Sequence, residues 1–434
     1  MGGRMSDRWS RALGFLAATG AALACVLAAP QPGLAAFGPG GKERLGIGAS
    51  NVESMRAYPG GKLLLFGSYA GKGTGQITRL QANGAIDTSF GENGHVAMPL
   101  SDVAVQRDGR LLVISAVPLH ATADGSDLIL TKLLPSGGPD PAFGQDGTVL
   151  VDLGRRYDSA GRVAVARNGR ILVSGTTATR ADSRTGFLDG VSVVARLLPG
   201  GALDPTFSGD GRVVLPGEGG IADLANGPRG SILAATDDSA GLTIFRVRSG
   251  GALDRSFGSG GSVVADLATG LSSLVGEVAT LPGGRLVVAG AINGPGPRGF
   301  HSKGVVVRYR ADGGLDRSFG KGGVASVRFN GSFSGDGFVA LPNGRVVLGG
   351  QLIYARGKHS DFAAVCFGPD GRLNPRFGDR GRARVDFGGW DMFYSMAPQM
   401  PGHVVMAGPT RREGVPGSEA TGLVRLPLAR HRVR

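Results

Sequence analysis

Along the 434-residue chain, aliphatic residues come in short runs that glycine, asparagine, aspartate and proline cut off. Residues 171–175, Ile-Leu-Val-Ser-Gly, and 304–309, Gly-Val-Val-Val-Arg-Tyr, are typical. Such runs are β-branched, strand-length and bounded by turn residues, so they predict strands. No run shows the 3.6-residue period of a capped helix. Asp108-Gly109, Asn168-Gly169 and Asn343-Gly344 each precede an arginine and an aliphatic run. Asp-Gly and Asn-Gly are what two-residue hairpins with positive φ require. In one stretch the pattern predicts four strands, at 149–153, 163–166, 171–174 and 191–197.

The pattern also repeats. The segment 253–261, Leu-Asp-Arg-Ser-Phe-Gly-Ser-Gly-Gly, returns at 86–94, 140–147, 203–211, 315–323 and 373–381, with a shortened copy from Phe37. Its phenylalanines are Phe37, Phe90, Phe143, Phe207, Phe257, Phe319 and Phe377, and the Gly-Arg-aliphatic element keeps phase with them. Seven units of roughly 57 residues, each with four antiparallel strands, predict an all-β, seven-bladed β-propeller. A parallel β-solenoid would use shorter coils and fewer tight turns. Residues 37–434 then form one domain.

The Leu-Asp-x-x-Phe-Gly-x-x-Gly segment followed by Asp/Asn-Gly-Arg-aliphatic resembles the delta-60 repeat family of bacterial propellers. The resemblance spans nearly all of residues 37–434 and implies a secreted or surface-associated seven-bladed ring with no assigned biochemical role. Departures are the shortened first copy, Asn374 in place of the aspartate, and Ser208-Gly209 after Phe207.

The repeated aspartates, 87, 140, 204, 254 and 316, read as turn acceptors for backbone N–H groups rather than a metal ring. Each repeated phenylalanine reads as a wedge between blades. Residues shared by every unit cannot mark one site, so function is sought where units differ. The variable loops, expected between third and fourth strands, include 176–190, 291–303, 352–361 and 409–421. A second set, expected between first and second strands and crowding the channel mouth, carries Arg155, Tyr157, Asp158, Asp336, Trp390 and Asp391. These six form the candidate binding face. Trp390 is either a sugar- or partner-stacking residue or a core aromatic. Asp158, Asp336 and Asp391 either converge on a cation or merely cap turns.

Glycine, 78 residues or about 18% against a usual roughly 7%, supplies turns rather than disorder. Net charge is +13, nearly all of it arginine and scattered, which implies weak attraction to anionic surfaces and no specific nucleic-acid binding. Arg4, Arg8 and Arg11 precede an apolar run at 12–29 and small residues up to Ala36. That describes a signal peptide over 1–36, cleaved after Ala29 or Ala36, and hence a secreted, cell-surface or periplasmic protein with no transmembrane helix after cleavage. A retained anchor or a lipoprotein box ending at Cys25 are the alternatives. Cys366, in an apolar run, is expected as a buried thiol without a disulfide.

No nucleophile elbow, zinc-binding His pair, P-loop or calcium-loop motif occurs. No catalytic residue, cofactor site or metal site is therefore expected, and the reading leans away from an enzyme. The function expected is a monomeric binding or scaffold module for a protein or glycan partner. The alternative is a propeller hydrolase, lyase or quinone-dependent dehydrogenase acting at the channel mouth.

Overall fold

The structure is a computed structural model that describes residues 37–47, 52–68, 74–116, 125–182, 186–187, 189–217, 220–238, 241–265, 273–274, 277–296, 299–354, 359–415 and 417–429. The expected signal peptide, and the loop residues Arg184, Arg298, Arg356 and Lys358, lie outside them. All the long elements are strands, and no described helix is long and apolar enough to cross a membrane.

The strands form successive antiparallel sheets in a β-propeller. In the third sheet, Tyr157–Val165, Ile171–Ala178, Val191–Leu197 and Arg212–Val214 pair in sequence order. Three other sheets have four strands and one has five. The first strands of neighbouring sheets pack on one another around the axis, so each sheet runs outward from its first strand. The run at 149–153, expected to open a unit, is the outermost strand of the preceding sheet, Thr148–Val151. The variable loops accordingly join second to third strands, and the Arg155–Asp158 type of segment links one sheet's outer strand to the next sheet's inner strand.

Seven separate blades were expected; the topology gives five discrete blades, one ten-stranded sheet and a two-stranded ribbon. The ten strands divide at one parallel pairing, Ser360 with Trp390. Ser360 Oγ reinforces it by donating to the Asp391 carbonyl (3.1 Å) and accepting from the Asp391 N–H (3.1 Å). The last strand of this sheet comes from the other end of the chain, where Lys42–Leu45 pairs with Ala420–Pro427 and closes the ring.

Among the described residues seven apolar clusters are buried, and each holds one repeated phenylalanine. Phe207, for example, packs with Leu172 and Val194 of its own sheet and with Ala234 and Phe245 of the next. An arginine from the third strand covers the ring: Arg79, Arg196, Arg246 and Arg308 lie 4.4–4.6 Å above Phe90, Phe207, Phe257 and Phe319. The same arginine reaches the next sheet's turn, as Arg308 Nη1 does to Pro369 O (2.5 Å), while its Nε donates to the repeated aspartate, Asp316 (2.9 Å). Those turns touch closely. A Cβ on Gly371, at φ +81°, would stand 2.4 Å from the Gly320 nitrogen of the preceding sheet. The repeated aspartates accept backbone N–H groups as expected, and they also pair with the arginines of their own sheet whose guanidiniums clasp the next sheet's turn.

Candidate functional site

The side chains lining the channel come from inner strands that are distant in sequence. Arg56, Arg162, Asp223, Glu277, Asp336 and Tyr394 border a cavity of about 480 Å³. Arg162, Asp223 and Glu277 each directly precede a buried aliphatic, Val163, Leu224 and Val278. Polar groups here also stitch neighbouring sheets together. Asp102 Oδ2 accepts the Val163 N–H (3.1 Å), Asp223 Oδ2 the Val278 N–H (2.9 Å) and Ser395 Oγ the Met55 N–H (3.0 Å). Arg162 Nε donates to Ala222 O (2.6 Å), and Arg56 pairs with Asp102 at 3.0 Å.

Three carboxyls here, Glu277, Asp223 and Asp336, are harder to ionise than usual. Burial, then the neighbouring Asp223 charge, pushes Glu277 up to about 7, against weaker opposition from Arg56 and Arg162. Burial raises Asp223 and Asp336 as well. A carboxyl poised near neutrality beside a second acid and two guanidiniums can both donate and accept protons or hydrogen bonds. The other end of the channel is chemically plain. A cavity of about 470 Å³ there is lined by Pro228, Pro282, Pro342 and neighbouring glycines, with Arg167 at its edge.

Of the six candidate residues, Asp336 alone reaches the channel. Arg155 lies at the rim, its Nη1 donating to Asp189 O (2.7 Å) across to a variable loop. Arg156 stacks on the Tyr157 ring at 5.3 Å, and Tyr157 bridges to Ser126 of the second sheet. Trp390 is 41% exposed at the equivalent bridge. Asp158 and Asp391 are buried, so neither belongs to an exposed face. Each instead sits in its own group of three acids: Asp127, Asp152 and Asp158 between the second and third sheets, and Asp361, Asp386 and Asp391 inside the ten-stranded sheet. The three aspartates thus go to three places, and no joint site forms from them. The physical reason is radial. Asp158 and Asp391 stop at mid-sheet, against Ser126 and Ser360, whereas Asp336 lies a few residues further along its segment, beside the inner strand.

Burial pushes both Asp158 and Asp391 up to about 6. Asp158 keeps two partners, the Leu153 N–H (2.7 Å) and the Thr177 hydroxyl (2.5 Å). Asp391 Oδ2 accepts the Phe387 N–H (2.6 Å), but its buried Oδ1 has no partner. Sequence reasoning missed Arg56, Asp102, Arg162, Asp223 and Glu277. Their signal was one polar residue before the inner-strand aliphatic in most units, differing in type each time.

Several solved structures match over most of the chain at low identity. A protein of unknown function from Dyadobacter fermentans is 14% identical over 91% of this chain and 97% of its own, at a TM-score of 0.39. A gluconolactonase from Xanthomonas campestris is 15% identical over 92% and 99%, at 0.38. A fungal alcohol oxidase in complex with copper is 14% identical over 91% and 77%, at 0.48. No curated protein matches the sequence. Residues 60–90 and 166–207 match the domain of unknown function (DUF5122) beta-propeller, in keeping with the architecture, so the chain is similar to a propeller family with no assigned role.

Proposed function

We propose that the chain is a secreted or cell-envelope binding module, a seven-bladed ring that takes a polar partner, a glycan or a protein segment, at one mouth of its channel. The seven apolar clusters, each with one repeated phenylalanine, support counting the ten-stranded sheet as two blades. The N-terminal apolar run supports export. One observation carries the binding reading: one end of the channel gathers Arg56, Arg162, Asp223, Glu277 and Asp336 around a cavity, while the cavity at the other end is mostly proline, glycine and aliphatic, with Arg167 its one charged residue. Mixed donors and acceptors in a concave site suit a hydroxyl-rich or charged ligand. A glycan array and a pull-down from envelope extract test this, with Arg162→Ala and Glu277→Ala as the altered proteins. The reading predicts a retained ligand that both variants lose; binding that survives both places the site elsewhere.

A second reading has one observation of its own, the Glu277 carboxyl near neutrality beside Asp223. It makes the mouth an acid–base site of a hydrolase or lyase. Turnover abolished in Glu277→Gln, with ligand binding kept, favours the enzyme; unchanged turnover dismisses it.

A further inference from the structure

The two groups of three acids lie away from the channel, and the binding reading does not use them. They are built alike. Asp361 and Asp386 stand one step beyond the Phe362–Val385 pair of an antiparallel ladder, and Asp127 and Asp152 one step beyond Leu128–Val151. The third acid, Asp391 or Asp158, comes from the strand entering the next unit and is buried. In the fifth sheet the same cross-strand position pairs Lys303 with Arg328. Like charges placed opposite one another destabilise a sheet, so an acid pair joined by a third buried acid calls for a counter-charge. Arg384 supplies part of it by pairing with Asp361, which also accepts the Tyr354 hydroxyl at 2.6 Å. Arg44 lies close by, donating to Phe387 O at 3.3 Å. Neither arginine donates to Asp391 Oδ1, which stays fully buried without a partner.

We propose that Asp361, Asp386 and Asp391 bind a calcium ion; in the other group both oxygens of Asp158 are already taken, by Leu153 N–H and the Thr177 hydroxyl. In each group the three carboxylates offer oxygens within 4.8 Å of one another. Mg²⁺ keeps several of its waters and is usually held by one or two carboxylates, so three converging carboxylates, two of them buried, favour Ca²⁺. An all-oxygen, carboxylate-rich donor set selects a hard cation. Asp386 is exposed and opens the site to solvent. At the ten-stranded sheet the ion would supply Asp391 Oδ1 with its missing partner and hold the junction at Ser360 and Trp390 together.

The test uses the full chain, stripped of metal. Millimolar CaCl₂ is expected to raise the melting temperature in proportion to the logarithm of its concentration, with MgCl₂ weaker. Terbium should show emission sensitised by Trp390, next to Asp391 in sequence, and calcium should displace it. Asp391→Asn, melting in the metal-free state no lower than the parent, should lose the terbium emission and weaken the calcium response by more than about tenfold. Asp158→Asn, outside the proposed site, should leave the Trp390-sensitised emission. The proposal is overturned if calcium fails to stabilise the chain, if magnesium serves equally well, or if Asp391→Asn keeps the emission. Because the channel is untouched, these outcomes stand apart from those that test ligand binding at its mouth.

Discussion

Asp204 and Asp391 are both fully buried, yet their surroundings are opposite. Asp204 belongs to the repeated segment. Burial alone would raise its carboxyl, but bonds from Thr206 and Arg170 and the charge of Arg196 outweigh that and hold it down at about 2. Asp391 has burial without matching donors, and it is pushed up to about 6. The first carboxylate is consumed by the frame. In the second, charge is left over, and leftover charge in a buried place is where a ligand can be sought.

The largest test of this contrast is pH. Asp87 is also held at about 2, where bonds from Lys62, Ser89 and Arg79 overcome burial, and Asp254 and Asp316 are lowered too. A depressed carboxyl contributes stability that is present above its unfolded value, near 3.8, and lost as pH falls through the folded value. Asp158 and Asp391 work the other way. Their folded values of about 6 lie above the unfolded one, so ionisation in the fold is unfavourable and that penalty disappears as pH falls from about 6 towards 4. Glu277, at about 7, adds to the same limb. Thermal unfolding of the metal-free chain should therefore show stability rising from pH 7 to about 5 and collapsing below about 4. The double variant Asp158→Asn, Asp391→Asn should flatten the upper limb and leave the acid collapse. A profile falling steadily from neutral pH in the parent chain would refute the opposition.

Next in size is Asp204→Ala. It strands Arg196, 7% exposed, and Arg170, which now share Asp204 Oδ2 at 2.9 and 2.5 Å. Removing one partner of a buried pair costs about 3–5 kcal/mol. A denaturant midpoint that moves no more for Asp204→Ala than for Asp391→Asn would erase the distinction between the two aspartates.

The frame was largely legible in the chain, because each of its parts recurs in phase: the phenylalanine, the aspartate, the Gly-Arg hairpin. The starting point of a blade was not, since a circular period has no origin. The strand order within each sheet, and the pairing of Lys42–Leu45 with Ala420–Pro427, fix the phase. Calcium-loop spacing could not reveal the acid triads, because Asp361, Asp386 and Asp391 come from three strands and meet only once the ladder register is known. Asp158 and Asp391 were visible as candidates, but their burial was not. The channel residues escaped because Asp102, Arg162, Asp223, Glu277 and Ser395 share a position and not a residue type.

The smallest effect lies in the one clasp that the chain has discharged. At the Phe377 interface, Cys366 stands where other units have arginine or lysine and Asn374 where they have aspartate. The two substitutions match each other: with no cation from the third strand, no anion is needed. Asn374 Nδ2 contacts the buried Cys366 Sγ at 3.7 Å. The neighbouring arginine is left without its aspartate. Arg345 Nη1 donates to Leu428 O (2.8 Å), but its buried Nε has no partner, while the equivalent Arg170 Nε donates to Asp204. Asn374→Asp should give Arg345 that partner and raise stability by about 1.5 kcal/mol, the low end of the usual gain from a charge-assisted bond. Cys366→Arg alone should destabilise, because it buries a cation with no counter-charge. Combining the two should recover more than the sum of the single effects, by about 0.5–3 kcal/mol in a double-mutant cycle read from urea unfolding. A strictly additive pair would mean that the clasp at Asp204 and its neutral counterpart at Asn374 are unrelated solutions, and that the arginine and aspartate of the repeat do not act as one unit.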